Sequence, residues 1–131
     1  CRRLGREPGR KSGPSGLGDI HLTRDPERAW ARLMPHLKHM VGEYAKWAAQ
    51  EENSQSPFKG LLADDNALRR SGMLNICSPE ELLQKAPTTL EHGTITCMPL
   101  LGGVAPEVGW ENLHLLKDVV PQLRAIRPVA A

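Results

Sequence analysis

The chain has 131 residues and a formal net charge of +2, values that suit one domain of ordinary size. Its three cysteines are too few and too irregularly spaced for a disulfide framework or a cysteine metal site, so they favour a reducing compartment, the cytoplasm. No apolar run approaches the about 20 residues of a membrane span, and we therefore expect no membrane segment.

Residues 1–18 are predicted to be the end of a helix followed by a loop. "CRRLG" is typical of a last helical turn with a glycine stop, and the residues after it are rich in Gly, Pro and Ser. Because such a helix would begin upstream of Cys1, we expect the chain to be a piece of a longer one. Residues 1–11 carry five basic residues and one acidic residue, hence a net charge of +4, with no aromatic residue among them. This pattern favours a solvated linker over a nucleic-acid contact.

Residues 19–52 are predicted to form a short strand and then a long helix. Ile20 and Leu22 alternate with polar residues, while Asp25 suits the N-cap of the helix and Pro26 its first position. Pro35 lies inside the helical pattern, so we expect a kink or two abutting helices there. One apolar stripe recurs at steps of three and four residues, namely Trp30, Leu33, Leu37, Val41, Tyr44 and Ala48.

Residues 53–92 are predicted to be an irregular excursion with short helices. Asp64 or Asp65 can cap a small helix that Gly72 ends. "MLNIC" (73–77) is either a short strand or an extended lead-in. In "SPEELLQKA", Ser78 and Glu81 have the spacing of a capping box, which predicts a helix start.

Residues 93–131 hold the last strand, a pair of glycines and a closing helix. "GTITCMPL" contains three consecutive β-branched residues and is the most strand-like run. Gly102 and Gly103 follow it, in a loop where glycine allows close approach to a ligand and the next helix N-terminus favours an anion. A turn that requires positive φ is the alternative, and the pair does not match a nucleotide-binding fingerprint. The final helix should start near Pro106 and bury Trp110, Leu113, Leu116, Val120 and Leu123.

The histidines do not form a readable catalytic pattern. His36, His39 and Glu43 share one sector of the long helix, a spacing that could hold a metal ion. That sector faces away from the apolar stripe, so a solvated surface is favoured and we predict no metal site. His21, His92 and His114 have no Ser, Cys or Asp partner at a triad spacing, and Cys77 and Cys97 are predicted to fill the core.

Strands that alternate with helices predict βα units and a parallel sheet, that is, the α/β class. Two or three strands are too few for a parallel sheet with both faces covered, so we expect a larger fold to supply the others.

Four segments, in this order, resemble the carboxyl-terminal part of the luciferase-like flavin-dependent monooxygenases, a family of (β/α)8-barrel enzymes. They are "CRRLGREPGR", "LTRDPERAWARLMPHLKHMVGEYAKW", "SPEELLQKA" and "MPLLGGVAPEVGWENLHLLKDVVPQL". The resemblance covers nearly all of the chain, although Cys77 stands where the family usually has glycine.

The resemblance implies that this is about the last third of a chain of about 300 residues, with the closing βα units of an incomplete TIM barrel. It implies reduced FMN or F420, which reacts with O2 or exchanges hydride with a small-molecule substrate. A flavin reductase and a second copy of the chain are the protein partners that it allows, without nucleic acid or membrane. Gly102 and Gly103 would line the cofactor or substrate pocket, and no catalytic residue is assigned, so the isolated chain should be inactive. The alternative is a mostly helical interaction module whose basic amino terminus binds nucleic acid or an acidic partner; it would not need "GTITCMPLLGG".

Overall fold

Strands and helices alternate in the computed structural model, which describes Gly5, residues 13–50 and residues 64–126. The predicted helix end in residues 1–4 and the excursion at 53–63 lie outside the described residues. The elements are β1 (Gly13–Leu22), α1 (Pro26–Ala49), α2 (Asp65–Arg70), β2 (Leu74–Cys77), α3 (Pro79–His92), β3 (Gly93–Cys97) and α4 (Pro106–Ala125).

The three strands form one parallel sheet in the order β2-β1-β3. This confirms the predicted α/β class, and the described part is rich in helix. The first strand is central, so the chain adds β2 on one side and then crosses to add β3 on the other. Such an order is that of a doubly wound sheet, whereas strands that follow one another in a (β/α)8 barrel are direct neighbours.

Two hydrophobic clusters cover the two faces of the sheet. The side chains of β2 divide between them, because successive residues of a strand point to opposite faces. Leu74 and Ile76 join the first cluster, with α1, α2, the segment after β3 and the first turn of α4, whereas Cys77 joins the second, with α3 and the rest of α4. The central strand contributes Ile20 and Leu22 to the second cluster, and both side chains are completely buried.

The strand β1 begins at Gly13, so the prediction of a loop up to residue 18 is wrong for residues 13–18. Gly13 and Pro14 pair with the start of β3, and the register then shifts before Asp19. At the end of this irregular stretch Gly18 has φ +67°, and a Cβ there would lie 1.8 Å from the Gly72 carbonyl oxygen. Glycine is therefore required where the strand passes the turn that precedes β2.

Helix α1 is continuous through Pro35, so two abutting helices are not formed. Leu33, Leu37 and Val41 are buried as predicted, and Met34 joins them. Tyr44 is not, because 44% of it is exposed, and its ring instead packs edge to face against Trp47 at 5.3 Å. The buried face of α1 ends at Val41, beyond which the helix no longer covers the sheet with buried residues.

Helix α4 has the predicted period but a different buried face. Trp110 is 60% exposed, and the predicted leucines and valine are only half-buried. The predicted orientation of the buried face was wrong because it rested on apolar residues alone, whereas the centre of the observed face is a fully buried asparagine. The buried residues of the helix are Val108, Gly109, Asn112, Leu115 and Val119.

Candidate functional site

The two glycines after β3 form a tight turn. The Val104 amide donates to the Leu101 carbonyl at 2.8 Å, and Gly103, the third residue of the turn, has φ +81°. This is the value of a type II turn, in which the third residue needs positive φ. The predicted turn is thus confirmed at Gly103. Neither Gly102 nor Gly103 lines any of the three cavities described below, so their role as ligand contacts stays a prediction.

The turn packs against the histidine side of α1. The His36 Nδ1 atom lies 3.0 Å from the Gly102 carbonyl oxygen, and because the carbonyl can only accept, Nδ1 carries the proton. His36 is half-buried by this contact, so the prediction of a purely solvated sector is wrong for this residue. The other two residues of that sector do not contact the turn in this way. His39 is exposed, and Glu43 accepts a hydrogen bond from Lys46 at 2.6 Å, which lowers the pKa of the Glu43 carboxyl. Within the described ranges no group of three His, Cys, Asp or Glu residues can hold a metal ion.

A cavity of about 300 Å³ opens at the carboxyl end of the central strand. This is the edge where parallel α/β sheets bind their ligands. In a sheet of order β2-β1-β3, the connections after β1 and β2 lead to opposite sides of β1, so the topological switch point lies between β1 and β3. One wall comes from the end of β1 and the loop after it, a second from the first two turns of α1, and a third from α4. The lining residues are His21, Thr23, Arg24, Asp25, Arg28, Ala29, Arg32, Leu33, Val108 and Glu111.

His21 is held in this cavity by a buried polar contact with α4. The Leu22 amide donates to Asn112 Oδ1 at 3.0 Å, which replaces the strand-to-strand bond that β3 no longer provides after Cys97. With Oδ1 engaged as an acceptor, the Nδ2 group of Asn112 faces His21 Nδ1 at 3.3 Å. The side chains of His21 and Asn112 are both buried, at 2% and 0% exposure.

The tautomer of His21 is assigned from the contacts of its Nδ1 atom. Two groups compete for Nδ1, the Asn112 amide donor at 3.3 Å and the Met98 carbonyl at 3.5 Å. We assign Nδ1 as an acceptor from Asn112, because the contact is shorter and the Leu22 amide sets the orientation of the asparagine. The proton of the neutral ring then lies on Nε2, for which the described residues provide no hydrogen-bond acceptor.

The ring of His21 is uncharged at neutral pH. Burial lowers the pKa of the ring below its ordinary value of 6.5, since the charged form loses hydration. The Met98 carbonyl and the Glu111 carboxylate raise this pKa, and the Arg32 guanidinium lowers it, without reversing the direction. At neutral pH the site therefore presents an uncharged N–H donor at the end of the central strand.

Three arginines surround the same cavity. Arg28 and Arg32 are one helical turn apart on α1, and Arg24 lies in the loop between β1 and α1. In the part of the chain that the structure describes, none of the three has an acidic partner within ion-pair distance, because the ion pairs there involve other basic residues. Arg24 also lines two wider cavities, of about 470 and 460 Å³, toward α3 and α4.

The two cysteines that the structure describes do not provide a nucleophile at this edge. Cys77 is buried, which confirms its predicted place in the core, and burial raises the pKa of its thiol to about 11. Cys97 is half-buried, and burial likewise raises the pKa of its thiol. Both groups are therefore protonated thiols at neutral pH, and the thiolate is the reactive form.

The residues of the cavity were present in the sequence but not recognisable as a set. His21 has no Ser, Cys or Asp partner at a triad spacing, and the sequence pattern does not single out the three arginines. Asn112 gave a signal that could have been used, since it lies four residues after Val108 and three before Leu115, in phase with the buried face. A polar residue at such a position needs a buried hydrogen-bond partner.

No protein-family model, curated protein or solved structure matches the chain. In residues 13–50 and 64–126, none of the helices is long and apolar enough to cross a membrane.

Proposed function

We propose that the chain is the carboxyl-terminal part of a luciferase-like flavin-dependent oxidoreductase or monooxygenase that uses FMN or F420. The order of the four resembling segments supports this family, and the parallel sheet supports a ligand site at its carboxyl edge. The observation that carries the proposal is His21, a buried and neutral N–H donor that lines the cavity at the end of the central strand. A buried donor without a protein acceptor is unfavourable, so a ligand atom is its natural partner.

The (β/α)8 barrel is part of this proposal. Strands β1 and β3 are parallel neighbours, as consecutive barrel strands must be, but β2 occupies the side of β1 that the preceding barrel strand would need. Among the described strands β3 pairs on one side only, so its other side offers an edge to a further strand. A barrel requires β1 to exchange β2 for another neighbour in a longer chain, whereas an open doubly wound sheet keeps the β1–β2 pairing.

The cavity fits the polar part of a flavin cofactor better than its ring. Its lining is rich in donors, but its apolar members are small in number, namely Ala29, Leu33 and Val108. The ring would therefore be covered by other parts of the longer protein. When bound, the flavin supplies the redox chemistry, either with O2 or by hydride exchange with a small-molecule substrate. His21 would donate from Nε2 to an acceptor atom of the ligand and orient it without adding a charge.

The Gly102–Gly103 turn would act as part of the wall rather than as a direct contact. Its carbonyl holds His36 of α1, and its position directly after β3 places it on the ligand edge of the sheet. A flavin reductase and a second copy of the chain remain the protein partners that the proposal allows.

The proposal is tested by flavin titration of this chain and of the protein encoded by its complete reading frame. Quenching of flavin fluorescence should show one FMN or F420 per molecule for the longer protein and no tight stoichiometric binding for the 131 residues alone. Tight binding by the short chain would contradict its assignment as a part, and a longer protein that binds neither flavin would overturn the family. DNA binding with a steep salt dependence would instead favour the interaction module.

A further inference from the structure

We propose that the cavity at the carboxyl end of β1 binds a phosphate monoester group, held by the guanidinium groups of Arg28 and Arg32 and by the Nε2–H of His21. The inference rests on the proposed function for the place of the ligand, but not for any redox chemistry.

The arginines have the arrangement that a phosphate requires. Arg28 and Arg32 are four residues apart on α1, so their side chains leave the same face of the helix. Both line the cavity, and neither has an ion-pair partner among the described residues. A guanidinium offers several donors in one plane and binds phosphate oxygens in pairs. Arg24 adds a third positive charge from the loop that precedes the helix.

The acidic residues of the cavity leave it with a positive balance. Asp25 is committed to the helix, because its Oδ1 accepts from the Arg28 amide at 3.0 Å. Glu111 on α4 is the other carboxylate in the lining. Three guanidinium groups against two carboxylates, with His21 neutral, give a net charge of +1 before a ligand enters. This charge suits one compact anion and is too small for a polyanion such as a nucleic acid.

His21 distinguishes the site from a surface cluster of arginines. It is 2% exposed, lines the cavity, and has its Nδ1 atom occupied by the Asn112 amide. The only proton of the neutral ring is therefore on Nε2, where a phosphate oxygen can accept it. This buried donor provides a fixed point of contact, while the arginines close on the ligand from the more exposed side.

The size of the cavity favours a phosphate group with a short attachment. Its volume of about 300 Å³ is at the lower end of the range for small-molecule sites. A whole flavin does not fit, but the phosphate end of FMN does, and so does the phosphate of a phosphorylated substrate. The shared chemistry is the monoester, and the experiment separates the two sources.

The test uses the 131-residue chain with inorganic phosphate and phenyl phosphate as probes, at constant ionic strength. Binding is followed by NMR through the ring nitrogens of His21 and the backbone amides. We expect saturable shifts of the Nε2 resonance, and at least about a tenfold loss of affinity in the Arg28→Gln/Arg32→Gln double variant. Arg70→Gln is the matched control, because Arg70 is an exposed arginine on α2 outside the cavity, and it should leave the affinity unchanged.

Two results would overturn the inference. One is an equal loss of affinity in the control and the double variant, which would mean general attraction to surface charge. The other is phosphate binding that leaves the Nε2 resonance of His21 unshifted.

Comparison of FMN with riboflavin then identifies the source of the phosphate. If FMN displaces phenyl phosphate at a concentration at least about tenfold lower than inorganic phosphate does, and riboflavin does not displace it, the source is the cofactor. If FMN and inorganic phosphate are equally potent, the source is a phosphorylated substrate. Phosphate binding by this chain together with a longer protein that binds no flavin would reject the proposed function and leave this site intact.

Discussion

Asn112 connects α4 to the central strand, and its replacement by leucine should destabilise the protein. The side chain is fully buried, accepts from the Leu22 amide at 3.0 Å and faces His21 Nδ1 at 3.3 Å. Leucine has a similar volume but leaves the Leu22 N–H buried without an acceptor, at a cost of about 1–3 kcal/mol. We therefore expect the free energy of unfolding to fall by about 2 kcal/mol. This value already includes the partial compensation from the added apolar burial of leucine.

The expected change in melting temperature follows from the size of the chain. With 131 residues, the entropy of unfolding is roughly 0.28 kcal/mol/K, so a loss of about 2 kcal/mol lowers Tm by about 7 °C. Urea unfolding followed by circular dichroism measures the free energy directly, and Asn66→Leu on the exposed start of α2 is the matched control. A change below about 0.5 kcal/mol for Asn112→Leu, no larger than that of the control, would refute the claim that this amide extends the hydrogen bonding of the sheet.

Three further predictions concern the strand crossing, the buried histidine and a helix start. Gly18→Ala should cost about 3 kcal/mol or more, because it combines positive φ with a clash against the Gly72 carbonyl, whereas Gly72→Ala, with positive φ but open space, should cost only about 1 kcal/mol. Equal losses in urea unfolding would show that the clash is relieved by a small shift. The free energy of unfolding should fall as pH drops below 6.5, since the unfolded chain takes up a proton at His21 before the folded one, whose pKa is lowered by burial. This part of the pH dependence should be absent in His21→Gln, and its persistence there would assign it to another group. Ser78→Ala should cost about 1 kcal/mol by removing the acceptor for the Glu81 amide, and restoration of stability by Ser78→Asp but not by Ser78→Val would identify the cap as the cause.

Helix starts were predictable from the sequence because their interactions are local. Asp25 caps α1 through the Arg28 amide, and Asp64 caps α2 through the amides of the next turn. Ser78 and Glu81 form the reciprocal capping box that their spacing predicts. Each of these contacts joins residues no more than three positions apart, so the pattern of residue types is sufficient to specify it.

The faces of the helices were predictable only in part. In α1 the apolar stripe gave Leu33, Leu37 and Val41 correctly, because there the buried face is made of apolar residues. In α4 the most buried position is the polar Asn112. The apolar pattern alone therefore predicted the wrong buried face, with Trp110 in the core. Hydrophobic periodicity gives the repeat of a helix, but its phase depends on what the neighbouring strand offers.

The candidate site was hidden for the same physical reason. His21 and Asn112 are 91 positions apart, and His36 and Gly102 are 66 apart. Such contacts depend on the order of strands in the sheet, and local spacing does not determine whether β3 pairs with β1 or with β2. The glycine pair shows the difference between local and long-range features. The positive φ of Gly103 could be expected from its residue type, but the packing of the turn against α1 could not.

The sequence alone therefore determined the α/β class, the positions of most elements and the caps that start the helices, since these depend on residue type, period and short-range hydrogen bonds. The tertiary structure decided the strand order β2-β1-β3, the phase of α4 and the meeting of His21 with three arginines at one cavity. These features arise when distant segments compete to satisfy buried polar groups and to exclude water, and that competition is resolved only in the folded chain.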